Sequence, residues 1–242
     1  RKSNKMNNYR TAIDRILRRA MRGNLDNILS LVESDSAARF VDLGCADGSW
    51  SLECAARIGT NQVFGVEIVE EWIREANGKG IQVRASDLNE RIPFDDGFFD
   101  CVHSNQVIEH LVDTDRYLAE HNRVLKMGGY LVLSTENSAS WHNIGALLMG
   151  WQMFSLTNIS GTSGIGNPFA LWRGRKDARK SMQHMRIFAY RGLKEYIECF
   201  GFKVESAMGS GYYPLPWWVG RLDPRHSHYL AVKARKVSPL SN

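Results

Sequence analysis

Paired cysteines, long apolar runs and repeated segments are scarce in this chain of 242 residues. Its four cysteines (Cys45, Cys54, Cys101 and Cys199) have no CxxC spacing, so there is no framework for a small disulfide-bonded fold, and a reducing, cytoplasmic setting is expected. Cys101 falls inside an apolar strand pattern and reads as a packed thiol. The longest apolar stretch, NIGALLMGWQMF, is too short to span a bilayer. No signal peptide is visible, although the chain opens on Arg1 rather than Met. No internal repeat is found.

What the chain does have is ordinary globular material. With 43% hydrophobic and 24% charged residues it can bury a core, which excludes general disorder. The length fits one large α/β domain, or one domain with a modest insertion. The formal charge of +5 is gathered near the N-terminus (Arg15, Arg18, Arg19, Arg22) and in Arg173, Arg175, Lys176, Arg179 and Lys180. Such a balance suits solvated helix faces and is compatible with nucleic acid, anionic lipid or an acidic substrate.

Ile13, Ile16, Leu17, Ala20 and Met21 recur at helical spacing, forming one stripe of an amphipathic helix over Tyr9–Met21. A second helix is expected over Asn24–Glu33. Strands are expected at Arg39–Leu43, Gln62–Ile68, Gly80–Ala85, Phe98–Ser104 and Gly129–Thr135, separated by helical patterns, with Gly128-Gly129 closing a helix and opening a strand. That alternation implies a doubly wound, mostly parallel sheet covered on both faces. The rhythm breaks over 137–183, where glycine and serine mix with Trp141, Trp151, Phe154, Phe169 and Trp172. A segment this long without regular structure reads as a substrate-facing insertion or lid. A helix at Tyr190–Phe200 and strands at Phe202–Ser206 and Tyr229–Lys233 then complete the sheet with an antiparallel edge. The expected organisation is an N-terminal helical cap (1–36), a cofactor-binding core (37–136), the insertion (137–183) and the completion of the sheet (184–242).

The stretch FVDLGCADG (40–48) follows a buried strand with two glycines. Ligands of doubly wound sheets sit beyond the carboxyl ends of the strands, at the switch point. There Gly44 allows the sharp turn and Gly48 lets a helix start close to the ligand. Glu67 ends the second strand, where a carboxylate can accept two hydrogen bonds from a ribose diol. Asp87 follows the third strand, placed to accept from an adenine amino group. Three such features after three successive strands point to a nucleoside-bearing cofactor. The spacing is not G-x-G-x-x-G, which argues against a nicotinamide-binding dehydrogenase.

These segments resemble the class I S-adenosylmethionine-dependent methyltransferases. FVDLGCADG is similar to their glycine-rich first motif, FGVEI to the acidic second and ASDLN to the adenine-binding loop. FDDGFFDCVHSNQVIEHL, RVLKMGGYLVLSTEN and HMRIFAYRGLKEYIECFGFKV resemble the branch that includes the ubiquinone-biosynthesis O-methyltransferases. The resemblance covers roughly 38–137 and 184–206. It implies a Rossmann-like, seven-stranded sheet and S-adenosylmethionine as cofactor, with S-adenosylhomocysteine as product. It also implies that Asp42, Gly44, Cys45 and Gly48 line the methionine end, that Glu67 holds the ribose and Ile68 packs on the adenine, that Asp87 and Leu88 meet the adenine edge, and that Asn105 sits near the sulfonium. Ala46 departs from the pattern, standing where the family more often has glycine; it fits if its φ is negative.

Methyl transfer to a hydroxyl is helped by a positioned base. Among seven histidines, His184, where the insertion ends, is the first candidate and His142, beside Trp141, the second. His110 reads as structural and His121 as lying on a charged helix face. His226 and His228 share a strand face by period two, but no third ligand stands out, so no metal is expected. The place after the fourth strand reads HSNQV rather than the [DN]PP[YF]-like loop of amino-group enzymes, and no cysteine lies there for RNA cytosine-C5 chemistry. The expected function is therefore methyl transfer to a small-molecule hydroxyl (a phenol, quinol, polyketide or sugar). A regulatory protein that binds the cofactor without turnover, and an RNA or protein methyltransferase, are the alternatives. The N-terminal stripe suits a lid, plain core or a membrane-surface contact, and YYPLPWWVG (212–220) suits a pocket wall or a dimer contact. Oligomeric state is not legible.

Overall fold

The structure, a computed structural model, describes residues 2–170, 173–174 and 183–240, with side chains from Asp14 onward. Trp172, Arg175, Lys176, Arg179 and Lys180, and the side chain of Ile13, lie outside the described residues. No helix of the described residues is long and apolar enough to cross a membrane.

The chain divides into two compact units. The first gathers Arg1–Asn27, Glu136–Tyr190 and Met208–Leu230; the second gathers Ile28–Thr135, Arg191–Ala207 and Ala231–Asn242. The elements run α1 (Lys2–Leu31), β1 (Phe40–Leu43), α2 (Ser49–Ile58), β2 (Val63–Glu67), α3 (Glu70–Gly78), β3 (Gln82–Ala85), β4 (Phe99–Asn105), α4 (Thr114–Val124), β5 (Leu125–Glu136), α5 (Trp141–Leu148), α6 (Tyr190–Glu198), β6 (Phe202–Ser210), α7 (Val219–Leu222) and β7 (Tyr229–Lys236). The seven strands form one mixed sheet in the order β3-β2-β1-β4-β5-β7-β6, parallel but for its antiparallel C-terminal edge.

The second unit follows from its apolar runs. β1 is buried at all four residues and β4 at five of seven, the signature of strands covered on both faces. Phe40 pairs with Val63 on one side and Cys101 on the other, so β1 is central. Phe64, Phe94, Phe98 and Phe99 meet edge-to-face, with centroids 4.8–5.8 Å apart in those contacts. Cys45, Cys54 and Cys101 are buried thiols and Cys199 is exposed, so Cys101 is packed as its strand pattern implies. Asp113 caps α4, its side chain accepting from the Arg116 amide at 2.9 Å, and Gly59 in the left-handed conformation closes α2.

Four expectations are corrected here. One continuous helix, α1, replaces the two expected near the N-terminus: Gly23, which lies between the two expected spans, is buried inside it. A Cβ there would lie 2.3 Å from the Trp217 ring, so the glycine serves close packing and not a turn. Gly128-Gly129 does not open a strand, because β5 begins at Leu125 and carries the pair within a bulge between the Phe99–Leu125 and Cys101–Tyr130 pairings. The stretch after Thr135 holds a helix, α5, hidden from periodicity by its nearly continuous apolar run. His226 lies in a single helical turn (Pro224–His226) and His228 precedes β7, so the two share no strand face.

Candidate active site

In the second unit, the sheet order places β1 beside β4 with the chain winding outward on both sides, which makes their carboxyl ends a switch point. Leu43 pairs with Ser104 there, so the glycine loop after β1 and Asn105 at the end of β4 are neighbours. The Gly44 and Cys45 amides both donate to the Val66 carbonyl (2.8 and 3.2 Å), and the Gly48 amide donates to Cys45 (2.9 Å). Gly44 has φ 79° and Gly48 φ 77°. A Cβ on Gly48 would stand 2.3 Å from Ile81 Cδ1, which is how closely α2 begins against α3 and β3. Gly65, unremarked in the sequence, gives Cys45 its room: a Cβ there would be 2.7 Å from Sγ.

Ala46 does not take the negative φ expected of it. Its φ is +45°, and Gln106, just past β4, has φ +57°; they are the two non-glycine residues with positive φ among the described residues. Such conformations cost about 1–3 kcal/mol each and gather where a site demands them. Both lie at the switch point. The left-handed turn explains why glycine suits position 46.

The acids are held in different ways. Asp42 is buried, accepting from Ser51 Oγ (2.5 Å) and from the His103 ring at Nδ1 (2.7 Å). Glu67, also buried, accepts from the amides of Ile68 (2.8 Å) and Val69 (3.0 Å) with one oxygen and from Ala46 (3.0 Å) with the other. A carboxylate can accept about four hydrogen bonds, so the oxygen facing the loop keeps capacity for a hydroxyl. Ile68 is 55% exposed beside it, an apolar face open to a flat ring. Asp87 forms a turn with the Asn89 amide (2.9 Å), and Leu88 is buried next to it. Asp47, at the loop's tip, is bonded to Lys79 Nζ (2.7 Å) and Ser49 Oγ (2.6 Å), which hold its carboxyl at about 2. Burial pushes the Cys45 thiol far up, aided by the charges of Asp42 and Glu67, so it is a packing group and not a nucleophile.

The first unit contains a cavity of about 780 Å³ whose lining residues all belong to it. α1 contributes Asp14, Ile16, Leu17, Arg18 and Met21; the insertion contributes His142, Phe154 and Phe169 among others; and Tyr213, His228 and Tyr229 come from the C-terminal segment. His184 and His142, the two histidines singled out in the sequence, both line it. His121 does not: it is fully buried in α4 of the second unit, not on a charged face, because its ring packs on Tyr117 and gives Nδ1–H to the Tyr117 carbonyl (2.7 Å).

The His184 ring is anchored. Nδ1 lies 2.6 Å from the Ser155 carbonyl, which can only accept, so Nδ1 carries a hydrogen. Ser155 is itself fixed by Asn143 on α5: the Asn143 amide donates to Ser155 Oγ (2.9 Å) and to the Asn137 carbonyl (3.0 Å). Asn143 and Ser155 carry no sequence signal, since their pairing depends on how the insertion folds.

Glu136, the last residue of β5, was also missed. Its carboxylate lies in the cavity lining with Oε1 3.7 Å from His228 Nε2 and Oε2 3.9 Å from His184 Nδ1. Burial works to raise its pKa, but His228 and His184 outweigh it and hold the carboxyl at about 2. The His228 ring is sandwiched by Tyr229 (4.1 Å, stacked) and the edge of His142 (4.6 Å), and its Nδ1 meets Tyr213 Oη at 3.0 Å. Burial, with the charge of His228, pushes His142 well below its ordinary value, so it is neutral near pH 7. Burial, with the charge of Glu136, keeps the Tyr213 phenol protonated.

The chain is similar to known proteins. A family described as "Methyltransferase domain" matches residues 13–207. The human mitochondrial ubiquinone biosynthesis O-methyltransferase is 29% identical over 228 residues, covering 87% of this chain and 56% of that protein. The chain spans between about a third and just over half the length of the curated relatives it matches. Among solved structures, a methyltransferase from Thermotoga maritima described as a possible histamine N-methyltransferase superposes with a TM-score of 0.60 at 20% identity, covering 96% of this chain and 95% of that one. Geranyl diphosphate C-methyltransferase from Streptomyces coelicolor, solved with S-adenosylhomocysteine, gives 0.58 at 16% identity over 90% of this chain and 81% of its own. At those identities the likeness is one of fold.

Proposed function

This chain belongs to the class I S-adenosylmethionine-dependent methyltransferase family, and from that membership we propose that it methylates a hydroxyl oxygen of a small-molecule acceptor held in the cavity of the first unit. The cofactor, when bound, supplies an electrophilic methyl group on a sulfonium. Gly44, Cys45 and Gly48, with Asp42 beneath them, form the turn that receives its methionine end. Glu67 accepts from its ribose, Ile68 covers one face of its base, Asp87 and Leu88 meet the base's edge, and Asn105 borders the reacting end. The two left-handed residues at the switch point and the exposed Ile68 support this fit.

The acceptor side rests on one observation: the His184 ring, anchored through Nδ1 to the Ser155 carbonyl, lines a cavity to which Phe154, Phe169, Tyr213 and Tyr229 also contribute. The Ser155 carbonyl holds the imidazole so that Nε2 can take the proton from a hydroxyl as the new C–O bond forms. His142, kept neutral, packs as a wall. Ile16, Leu17 and Met21 of α1 cover the acceptor and exclude water, which makes the helix a lid. That the human relative is an O-methyltransferase by name supports oxygen as the methyl acceptor.

Calorimetric titration with S-adenosylhomocysteine, followed by turnover assays over phenol, sugar and lipid hydroxyl acceptors, tests the reading. His184→Ala is expected to lower kcat about 10²-fold with cofactor affinity intact. Unchanged kcat removes the base, and no turnover with any hydroxyl acceptor removes the oxygen assignment.

A further inference from the structure

We infer that Glu136 is the acceptor-recognition group of the cavity and that it selects an acceptor carrying a protonated amine. The inference rests on the reading of this cavity as the acceptor site. Among the described residues the Oε2 atom has no hydrogen-bond partner within 3.5 Å, although it is shielded from solvent. His228, His184 and the Ser155 hydroxyl lower the pKa of Glu136 without coming within hydrogen-bond distance of this oxygen. His184 Nδ1 gives its hydrogen to the Ser155 carbonyl at 2.6 Å, and His228 Nε2 stands 3.7 Å from the other oxygen. An ionised carboxylate left this way costs several kcal/mol unless a ligand completes it.

Charge decides which ligand. Among the described residues, and with histidines counted neutral, the cavity's charged lining residues are Asp14, Glu136 and Arg18, two acids against one base. Asp14 and Arg18 are four residues apart on α1, the spacing at which opposite charges offset each other. Glu136 then has no Lys or Arg partner among the described lining residues, and the groups that offset its charge are the imidazoles of His228 and His184, at 3.7 and 3.9 Å. It lies among the rings of Phe154, Tyr213 and Tyr229, whose faces favour a cation over a second anion. A neutral hydroxyl could also donate to Oε2, but it would leave the negative charge in place; an ammonium supplies both donor and charge. The same arrangement disfavours acceptors that bear phosphate or carboxylate.

The test uses the full chain saturated with S-adenosylhomocysteine and two probes of one size, tyramine and 4-(2-hydroxyethyl)phenol, which differ in an amine against a hydroxyl. By calorimetry tyramine is expected to bind at least about tenfold more tightly. Glu136→Gln should erase that advantage, leaving the alcohol's affinity within about twofold and the affinity for S-adenosylhomocysteine unchanged. Asp14→Asn should preserve it. Equal binding of the two probes by the unmodified protein, no tyramine binding at millimolar concentration, an advantage that survives Glu136→Gln, or one lost in Asp14→Asn would each overturn the inference. Turnover is scored separately. Methylation of neutral phenols with no preference for the amine defeats this inference and leaves the proposed function standing. Tight amine binding without turnover does the reverse.

Discussion

Two glutamates end two strands of the same sheet, and they could hardly be treated more differently. Glu67, closing β2, takes three backbone amides, two of them from the next two residues of the chain. Glu136, closing β5, faces two imidazoles at 3.7 and 3.9 Å, contributed by residues far along the chain. The first is a locally satisfied acid whose job is shape as much as charge. The second holds its charge in reserve. The comparison extends to the units that contain them: one builds its site from consecutive loops after parallel strands, the other from three separated segments.

Several experiments would sharpen or break that contrast. The largest effect is expected in the loop. Gly48→Ala combines a left-handed φ with a Cβ 2.3 Å from Ile81, and should cost about 4 kcal/mol in urea-unfolding stability. A near-neutral result would mean that the turn is not as tightly held as its geometry implies.

Acidification should reveal a buried imidazole in the second unit. Burial lowers the His121 pKa to about 4, while the unfolded chain binds that proton near 6.5. The unfolded state therefore holds more protons between those values. Stability is full above about pH 6.5 and falls as pH drops toward 4, by on the order of 3 kcal/mol. Denaturation midpoints across that range should slope for the unmodified protein and slope less in His121→Gln, the remainder coming from buried His142; parallel slopes would locate the acid sensitivity elsewhere.

Next in size, Glu67→Ala should weaken S-adenosylhomocysteine by about 2 kcal/mol, the scale of a charged hydrogen bond. Glu136→Ala should leave that affinity within about twofold. Equal losses would erase the distinction between the two strand ends. The smallest effect is a gain: Ala46→Gly relieves a φ of +45° and, after the added chain entropy of glycine, should raise stability by about 0.5 kcal/mol.

The second unit was legible because its chemistry is written in adjacent residues. FVDLGCADG, FGVEI and ASDLN each place an acid at or near a strand's end within nine residues or fewer, and the continuous burial of β1 leaves an apolar signature that the mostly exposed β3 lacks. What escaped was close packing: Gly65 beneath Cys45 and Gly23 beneath Trp217 are read only once their neighbours are known. The cavity was less legible for a related reason. His184 and His142 were noticed because imidazoles are few, but Glu136, Tyr213 and Asn143 are ordinary residue types whose meeting depends on long-range folding. α5 was hidden because a nearly uniform apolar run has no face for periodicity to detect.

The four cysteines, unremarkable as a motif, also give the molecule a built-in gauge. Cys45, Cys54 and Cys101 are buried with their thiols pushed far toward the unreactive form, while Cys199 is exposed, and all four belong to the second unit. A thiol reagent will therefore mark the native protein at a single position, allowing a dye to be attached without engineering. Each further equivalent consumed then counts openings of the sheet's core, so the rate of labelling reports breathing in one unit while leaving the other silent.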